Sequence, residues 1–171
     1  MKNILEDEIM RGKTHMIGGA AVALSLMSIT GIFEFQTLAV GAAVGAIGGL
    51  IPDIDHPNSK IAHKTKFVGT IISRLFKHRG FWHTPFLYAI LWGGLRLWLG
   101  ASLWVNLLFA GVFSHLLLDL LNPTGIPVFF PFTTKKFHLA KIRTGGKIEV
   151  IVSVLLLLIS FLPFVGALYI V

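Results

Sequence analysis

Five apolar stretches divide this chain. Each is long enough, or nearly so, to cross the hydrocarbon core of a bilayer, which takes roughly 20 residues of helix. They cover residues 16–33, 35–51, 82–99, 101–121 and 150–171. The rest of the chain does not make up for them. Of 171 residues, 54% are hydrophobic and 13% charged, against about 25% charged in a soluble domain. A soluble fold of this size needs more polar surface, so lipid is the natural solvent for the excess. The first stretch has the length of a signal peptide core. No small-residue cleavage site follows it and the next stretch begins almost at once, so it is read as a retained helix. The expected class is all-α: one integral membrane domain over residues 1–171, a polytopic bundle of about five transmembrane helices. The chain has no cysteine, which excludes disulfides and thiolate metal ligands.

Charge gives the expected orientation. The 35–51 stretch follows the first across Glu34 alone, and only the uncharged Gly100 divides 82–99 from 101–121. The N-terminus carries Lys2, Arg11 and Lys13. The linker before the third stretch carries Lys60, Lys64, Lys66, Arg74, Lys77 and Arg79, and the linker before the fifth carries Lys135, Lys136, Lys141, Arg143 and Lys147. Alternating passes put all of these on one side, with Arg96 the single exception. The positive-inside rule makes that side cytoplasmic. The N-terminus is then cytoplasmic and the C-terminus external, in the inner membrane. The net charge of +7 is on this account a topology signal and not a nucleic-acid footprint.

Two linkers have a pattern of their own. Phe67, Val68, Ile71, Ile72, Leu75 and Phe76 recur at helical spacing opposite Lys66, Ser73, Arg74 and Lys77. That predicts an interfacial helix beside anionic headgroups, or one packed on its own domain. Phe129, Phe130, Phe132 and Phe137 surround Thr133-Thr134-Lys135-Lys136, as in a hairpin that dips into the interface. In the second stretch, Gly41, Gly45, Gly48 and Gly49 have the small-residue spacing of closely packed helices.

The polar residues that carry chemistry converge under this topology. His15 precedes the first stretch. Asp53, Asp55 and His56 follow the second, His78 and His83 flank the start of the third, and His115 and Asp119 stand near the end of the fourth. All fall at the cytoplasmic end. A carboxylate within a membrane segment costs roughly 2.5–3.5 kcal/mol on insertion scales unless paired or hydrated. His115 and Asp119, four apart, share one helical face. Imidazole and carboxylate together are a ligand set for zinc, and also for manganese or iron. Taken singly, each has a plainer reading: His15 as an amphipathic interface residue, Asp53 and Asp55 as turn or cap residues, and His115 with Asp119 as an internal hydrogen bond. Their common depth favours a metal site. His63 and His138 read as exposed loop residues. Arg79 reads either as a phosphate-binding fork or as a topology anchor. Asn122, Thr124 and Gly125 read as the turn leaving the fourth helix.

The combination Asp53-Ile54-Asp55-His56-Pro57, His78-Arg79-Gly80-x-x-His83 and Ser114-His115-x-x-x-Asp119 is followed by Asn122-Pro123-Thr124-Gly125 and Pro131-Phe132. Together these resemble the YdjM-like family of bacterial and archaeal inner-membrane proteins, described as metal-dependent hydrolases. The resemblance runs from His15 to the 126–147 linker. Trp82 stands where many members have Thr. The family in turn looks distantly similar to zinc-dependent phospholipase C and P1-type nucleases. Their order of ligands is an early His, an Asp, a His, then His-x-x-x-Asp. His15, Asp53 or Asp55, His78 or His83, and His115 with Asp119 follow that order. The later His and His-x-x-x-Glu ligands have no counterpart here, so the resemblance implies one or two metals.

The expected function is therefore metal-dependent hydrolysis of a phosphoester, such as a phospholipid headgroup, at the cytoplasmic face. Metal-ligand candidates are His15, Asp53, Asp55, His56, His78, His83, His115 and Asp119. Catalytic candidates are Asp53 and Asp55, one of them as general base, and Arg79 for the phosphate. Two rivals stand beside this reading. One is a metal-ion or proton transporter, which would need polar residues continuing across the membrane. The outer halves of the stretches hold only Glu34 and Arg96 as charged groups. The other is a non-catalytic scaffold with a structural metal, which would have a closed coordination sphere.

Overall fold

A computed structural model describes residues 4–54, 81–142 and 147–168. The amphipathic segment around Phe67 and Phe76, together with Asp55, His56, His63, His78 and Arg79, lies outside the described residues. Five α-helices follow in order: α1 (Ile4–Ile29), α2 (Phe35–Gly48), α3 (Pro85–Leu99), α4 (Leu103–Leu120) and α5 (Lys147–Leu168). Short 3₁₀ turns at Ile51–Asp53 and Phe81–His83 end α2 and precede α3. The only β pairing among the described residues is an isolated antiparallel bridge between Ile126 and Phe137.

Among the described residues, two segments are long and apolar enough to cross a membrane: Phe35–Asp53 with 19 residues and Leu103–Leu120 with 18. The third expected crossing is shorter than the sequence suggests. Its helix starts at Pro85, not Trp82, and has 15 residues. At 1.5 Å per residue that is about 22 Å, short of the roughly 30 Å of hydrocarbon. The reason is local. Thr84 is the N-cap in extended geometry, its hydroxyl accepting from the Leu87 amide at 3.4 Å, and Pro85 follows at the first helical position. Proline disfavours helical geometry in the residue before it and is suited to open a helix. The chain N-terminal to Thr84 therefore leaves the helix and makes the turn that carries His83. At the other end, α1 extends N-terminal to the apolar stretch and takes in His15.

Backbone proximity sets the packing of α1, α2 and α4. A Cβ on Gly45 would collide with the Gly19 carbonyl oxygen of α1, and one on Gly111 of α4 would collide with the Gly45 carbonyl oxygen. One on Gly49 would strike the backbone oxygen of His15. Small residues let helices approach this closely, as the spacing in α2 predicts. Ala23, Met27 and Leu107 fill one part of the core between these helices. Tyr88, Phe109, Val112, Leu116 and Ile126 fill another between α3, α4 and the bridged loop. α5 packs against α1.

Much of the outer surface is apolar. Ile90, Leu97 and Trp98 of α3, Leu117 of α4, and Ile151, Leu155, Leu158 and Ile159 of α5 are exposed. Apolar area on this scale is not a feature of a soluble monomer, and it suits contact with lipid tails.

Candidate metal centre

Five of the candidate ligands come together where α1, α2 and α4 end their close contact. His15 projects from α1 and His115 and Asp119 from successive turns of α4. Asp53 is delivered by the 3₁₀ turn after α2, and His83 by the turn ahead of α3. Pro52 sits inside the first turn, and the Asp53 and Ile54 amides donate back to Leu50 and Ile51 at 3.2 and 3.1 Å. The second is held by the Thr84 hydroxyl, which donates to the Phe81 carbonyl at 2.8 Å. Both turns thus have a local cause, and both aim a ligand-type side chain at α4.

The ligand atoms form a compact set. His83 Nε2 lies 3.4 Å from Asp53 Oδ1 and 3.5 Å from Asp119 Oδ2. His115 Nε2 lies 3.8 Å from Asp53 Oδ1 and 3.5 Å from Asp119 Oδ2. A tetrahedron around zinc with bonds of about 2.0–2.2 Å has edges of about 3.3–3.6 Å. Three of the four distances fall in that range, and the fourth, His115 to Asp53 at 3.8 Å, is slightly longer. The other oxygen of Asp119, Oδ1, faces His15 Nε2 at 3.7 Å. Asp119 is therefore central, with one oxygen toward His83 and His115 and the other toward His15. Two overlapping groups have the spacing to hold a cation: His15, His115 and Asp119, and Asp53, His83 and His115.

Hydrogen bonding and stacking say which atoms are available. His115 Nδ1 lies 2.7 Å from the carbonyl oxygen of Gly49. A carbonyl only accepts, so Nδ1 carries a proton, and in the neutral ring it is Nε2 that presents a lone pair to the cluster. That lone pair is buried and has no hydrogen-bond partner among the described residues. Buried polar atoms without partners are rare and need a reason. A bound cation supplies one. The carbonyl contact also has the form of the outer-sphere bond that orients metal-ligating histidines. The rings of His15 and His115 stack with centroids 3.7 Å apart, which two imidazolium cations would resist and two neutral imidazoles tolerate.

The set is buried unevenly. The side chains of His83 and His115 are 0% exposed, and that of Asp119 is 3% exposed. That of Asp53 is 24% exposed, so the cluster reaches solvent on the Asp53 side. A pocket beside His15 and Asp119 is also lined by Thr14, Asn122 and Glu149.

Glu149, in the first turn of α5 and buried, was not among the sequence candidates. The cost of a carboxylate at the mouth of an apolar stretch, which singled out Asp119, applies to it equally. Gly49 is a second omission. Its role is played by a backbone carbonyl, which leaves no mark in side-chain identity. His138 is exposed on the bridged loop and belongs to neither group of candidate ligands. Asn122 makes the expected turn: its side-chain oxygen accepts from the Thr124 amide at 3.2 Å, and Gly125 has a positive φ of 58°. Asp55, His56, His78 and Arg79 lie outside the described residues.

The chain is similar to bacterial proteins. It is 34% identical over 143 residues to "Uncharacterized protein YvsG" of Bacillus subtilis, covering 84% of this chain and 87% of that one. It is 34% identical over 87 residues to "Inner membrane protein YdjM" of Escherichia coli, covering 48% of this chain and 44% of that protein. The protein of the same name from Shigella flexneri matches to the same extent. No solved structure matches. Residues 10–170 match the family described as YdjM inner membrane protein, and the chain, membrane-associated and all-helical, belongs to that family.

Proposed function

We propose that this protein is a membrane-bound, metal-dependent hydrolase of a phosphoester, such as a phospholipid headgroup, at the cytoplasmic face of the inner membrane. The observation that carries the reading is the buried Nε2 of His115, set among two carboxylates and two further imidazoles. His15, Asp53, His83, His115 and Asp119 would hold one or two divalent ions, zinc in the first place and manganese or iron next. When bound, such an ion polarises a phosphoryl oxygen and makes water more acidic.

The chain's own residues supply the rest. Of Asp53 and Asp55, the carboxylate that does not ligate the metal accepts the proton from the attacking water. Arg79 holds the phosphate through its planar fork. His56 and His78, adjacent in sequence to these groups, complete the candidate ligand set. A phosphoester substrate is proposed from the order His15, Asp53, His83, His115 and Asp119 along the sequence, which is the order of ligands that the resemblance to zinc-dependent phospholipase C and P1-type nucleases implies. A site at the headgroup level favours one that is already there. The proposed topology is five crossings with the N-terminus cytoplasmic.

The test is elemental analysis of the purified protein, followed by a panel of phosphoesters and phospholipids. Wild-type protein should carry metal and cleave at least one class, while His115→Ala and Asp119→Asn should lose both properties. Metal-loaded protein that cleaves nothing would favour the second reading, a structural metal in a scaffold. The observation behind that alternative is the near-complete burial of His83, His115 and Asp119.

A further inference from the structure

The loop between α4 and α5 has a buried root and an apolar tip. At the root, Ile126 and Phe137 exchange two backbone hydrogen bonds of 3.0 and 2.9 Å. Ile126 is 0% exposed and packs into the core with Tyr88 and Leu116. The Phe130 ring meets Phe81 edge-on at 5.8 Å, tying the loop to the turn that carries His83. Beyond the root the exposure reverses. Phe132 is 92% exposed and Leu139 76%, with Phe129 exposed beside them. Lys135, Lys136 and Lys141 are all exposed along the same loop. The Lys135 amide donates to Thr133 Oγ1 at 3.1 Å, turning the chain directly after Phe132.

An aromatic this exposed has no packing role among the described residues. Flanked by cations at the end of a membrane bundle, it has the composition of an interfacial anchor: aromatic rings favour the headgroup level, and lysines are drawn to anionic lipid. The loop's depth is coupled to the metal centre. The Leu139 and Ile142 amides donate to the Leu120 and Leu121 carbonyls at 2.7 and 2.9 Å, immediately after Asp119.

We propose that the loop spanning Ile126 to Lys141 is a lipid anchor, with Phe129, Phe132 and Leu139 inserted at the bilayer interface and Lys135, Lys136 and Lys141 on anionic phospholipid headgroups. It thereby holds the His83 and Asp119 end of the bundle at headgroup depth. The anchor requires membrane association and does not depend on the hydrolase reading.

The natural absence of cysteine permits a direct test. Single variants Phe132→Cys and Thr134→Cys are spin-labelled in nanodiscs of phosphatidylcholine with and without phosphatidylglycerol. Collision rates with oxygen, enriched in lipid, and with a water-soluble nickel chelate are then compared. The label at 132 should meet oxygen more often than nickel, the label at 134 should show the reverse, and phosphatidylglycerol should move the 132 label deeper. In a Phe132→Cys background, Lys135→Glu with Lys136→Glu should abolish that lipid-dependent shift. Equal nickel exposure at 132 and 134, or a depth at 132 indifferent to both lipid and lysine charge, overturns the anchor. Helix content by circular dichroism, measured on each variant in detergent before reconstitution, should stay at the wild-type level. If it falls, the variant has disturbed the fold, and labels at Leu139→Cys and Lys141→Cys replace the pair, with the same pattern expected and the same result overturning it.

Discussion

His115 donates Nδ1–H to the carbonyl oxygen of Gly49 across 2.7 Å, joining α4 to the C-terminal end of α2. The contact exists because Gly49 has no side chain. A Cβ there would strike the backbone oxygen of His15, and α1 would be pushed off α2. One glycine therefore both brings His15 close and sets the tautomer of His115.

Gly49→Ala should accordingly weaken metal binding without removing any ligand. Loss of an orienting outer-sphere contact costs about 10–100-fold in metal affinity. A loss in that range is expected in chelator competition, with helix content by circular dichroism unchanged. Wild-type affinity in this variant would mean that the contact does not orient the ligand.

Asp119→Asn should have the largest effect of any single change in the cluster. Its two oxygens face His15 on one side and His83 with His115 on the other, and an amide offers one neutral acceptor in place of a shared charge. Metal content by mass spectrometry should fall to near background. His138→Ala, on the exposed loop, should retain the wild-type content and serves as the matched control.

Proton competition gives the expected pH dependence. Imidazole must be neutral to ligate. Burial pushes the His15 imidazole down to about 3, so His15 holds no proton to shed near neutral pH. Metal affinity should fall as the solution is acidified, because any imidazole of the cluster that carries a second proton must lose it to bind. A chromophoric chelator titrated at stepped pH measures it, and an affinity insensitive to pH would point to carboxylate-only ligation.

Arg79→Ala should separate substrate binding from metal binding. If the guanidinium holds a phosphate, turnover falls while metal content is unchanged. An interaction made only in the transition state lowers kcat and kcat/KM alike. Loss of metal together with activity would instead place Arg79 in the structure of the site.

Reporter fusions test the orientation. A fusion at Gly100 and one at the C-terminus should both read as external, with the Lys- and Arg-bearing linkers internal. A cytoplasmic signal at Gly100 would reverse the orientation drawn from charge. With α3 only 15 residues long, the Gly100 fusion also reports directly on whether that helix completes a crossing.

Helical class and membrane character were legible in the sequence, because apolar run length and the scarcity of charge act over whole segments. The candidate ligands were also legible by type, since a carboxylate or imidazole at a helix end in lipid needs a partner. Pairing His115 with Asp119 needed only helical spacing. Helix ends were less so: the start of α3 depends on the geometry of Thr84-Pro85 rather than on hydrophobicity. Tertiary structure alone decided which residues meet. Asp53 and His83 lie far apart in sequence, and two capped turns place them 3.4 Å apart. Glu149 enters the pocket beside His15 only because α5 packs against α1. The Gly49 carbonyl is a backbone group that every residue carries, so its role follows from position and not from residue type. Residue chemistry and periodicity are properties of the chain, whereas distance, burial and the choice of tautomer are properties of its packing.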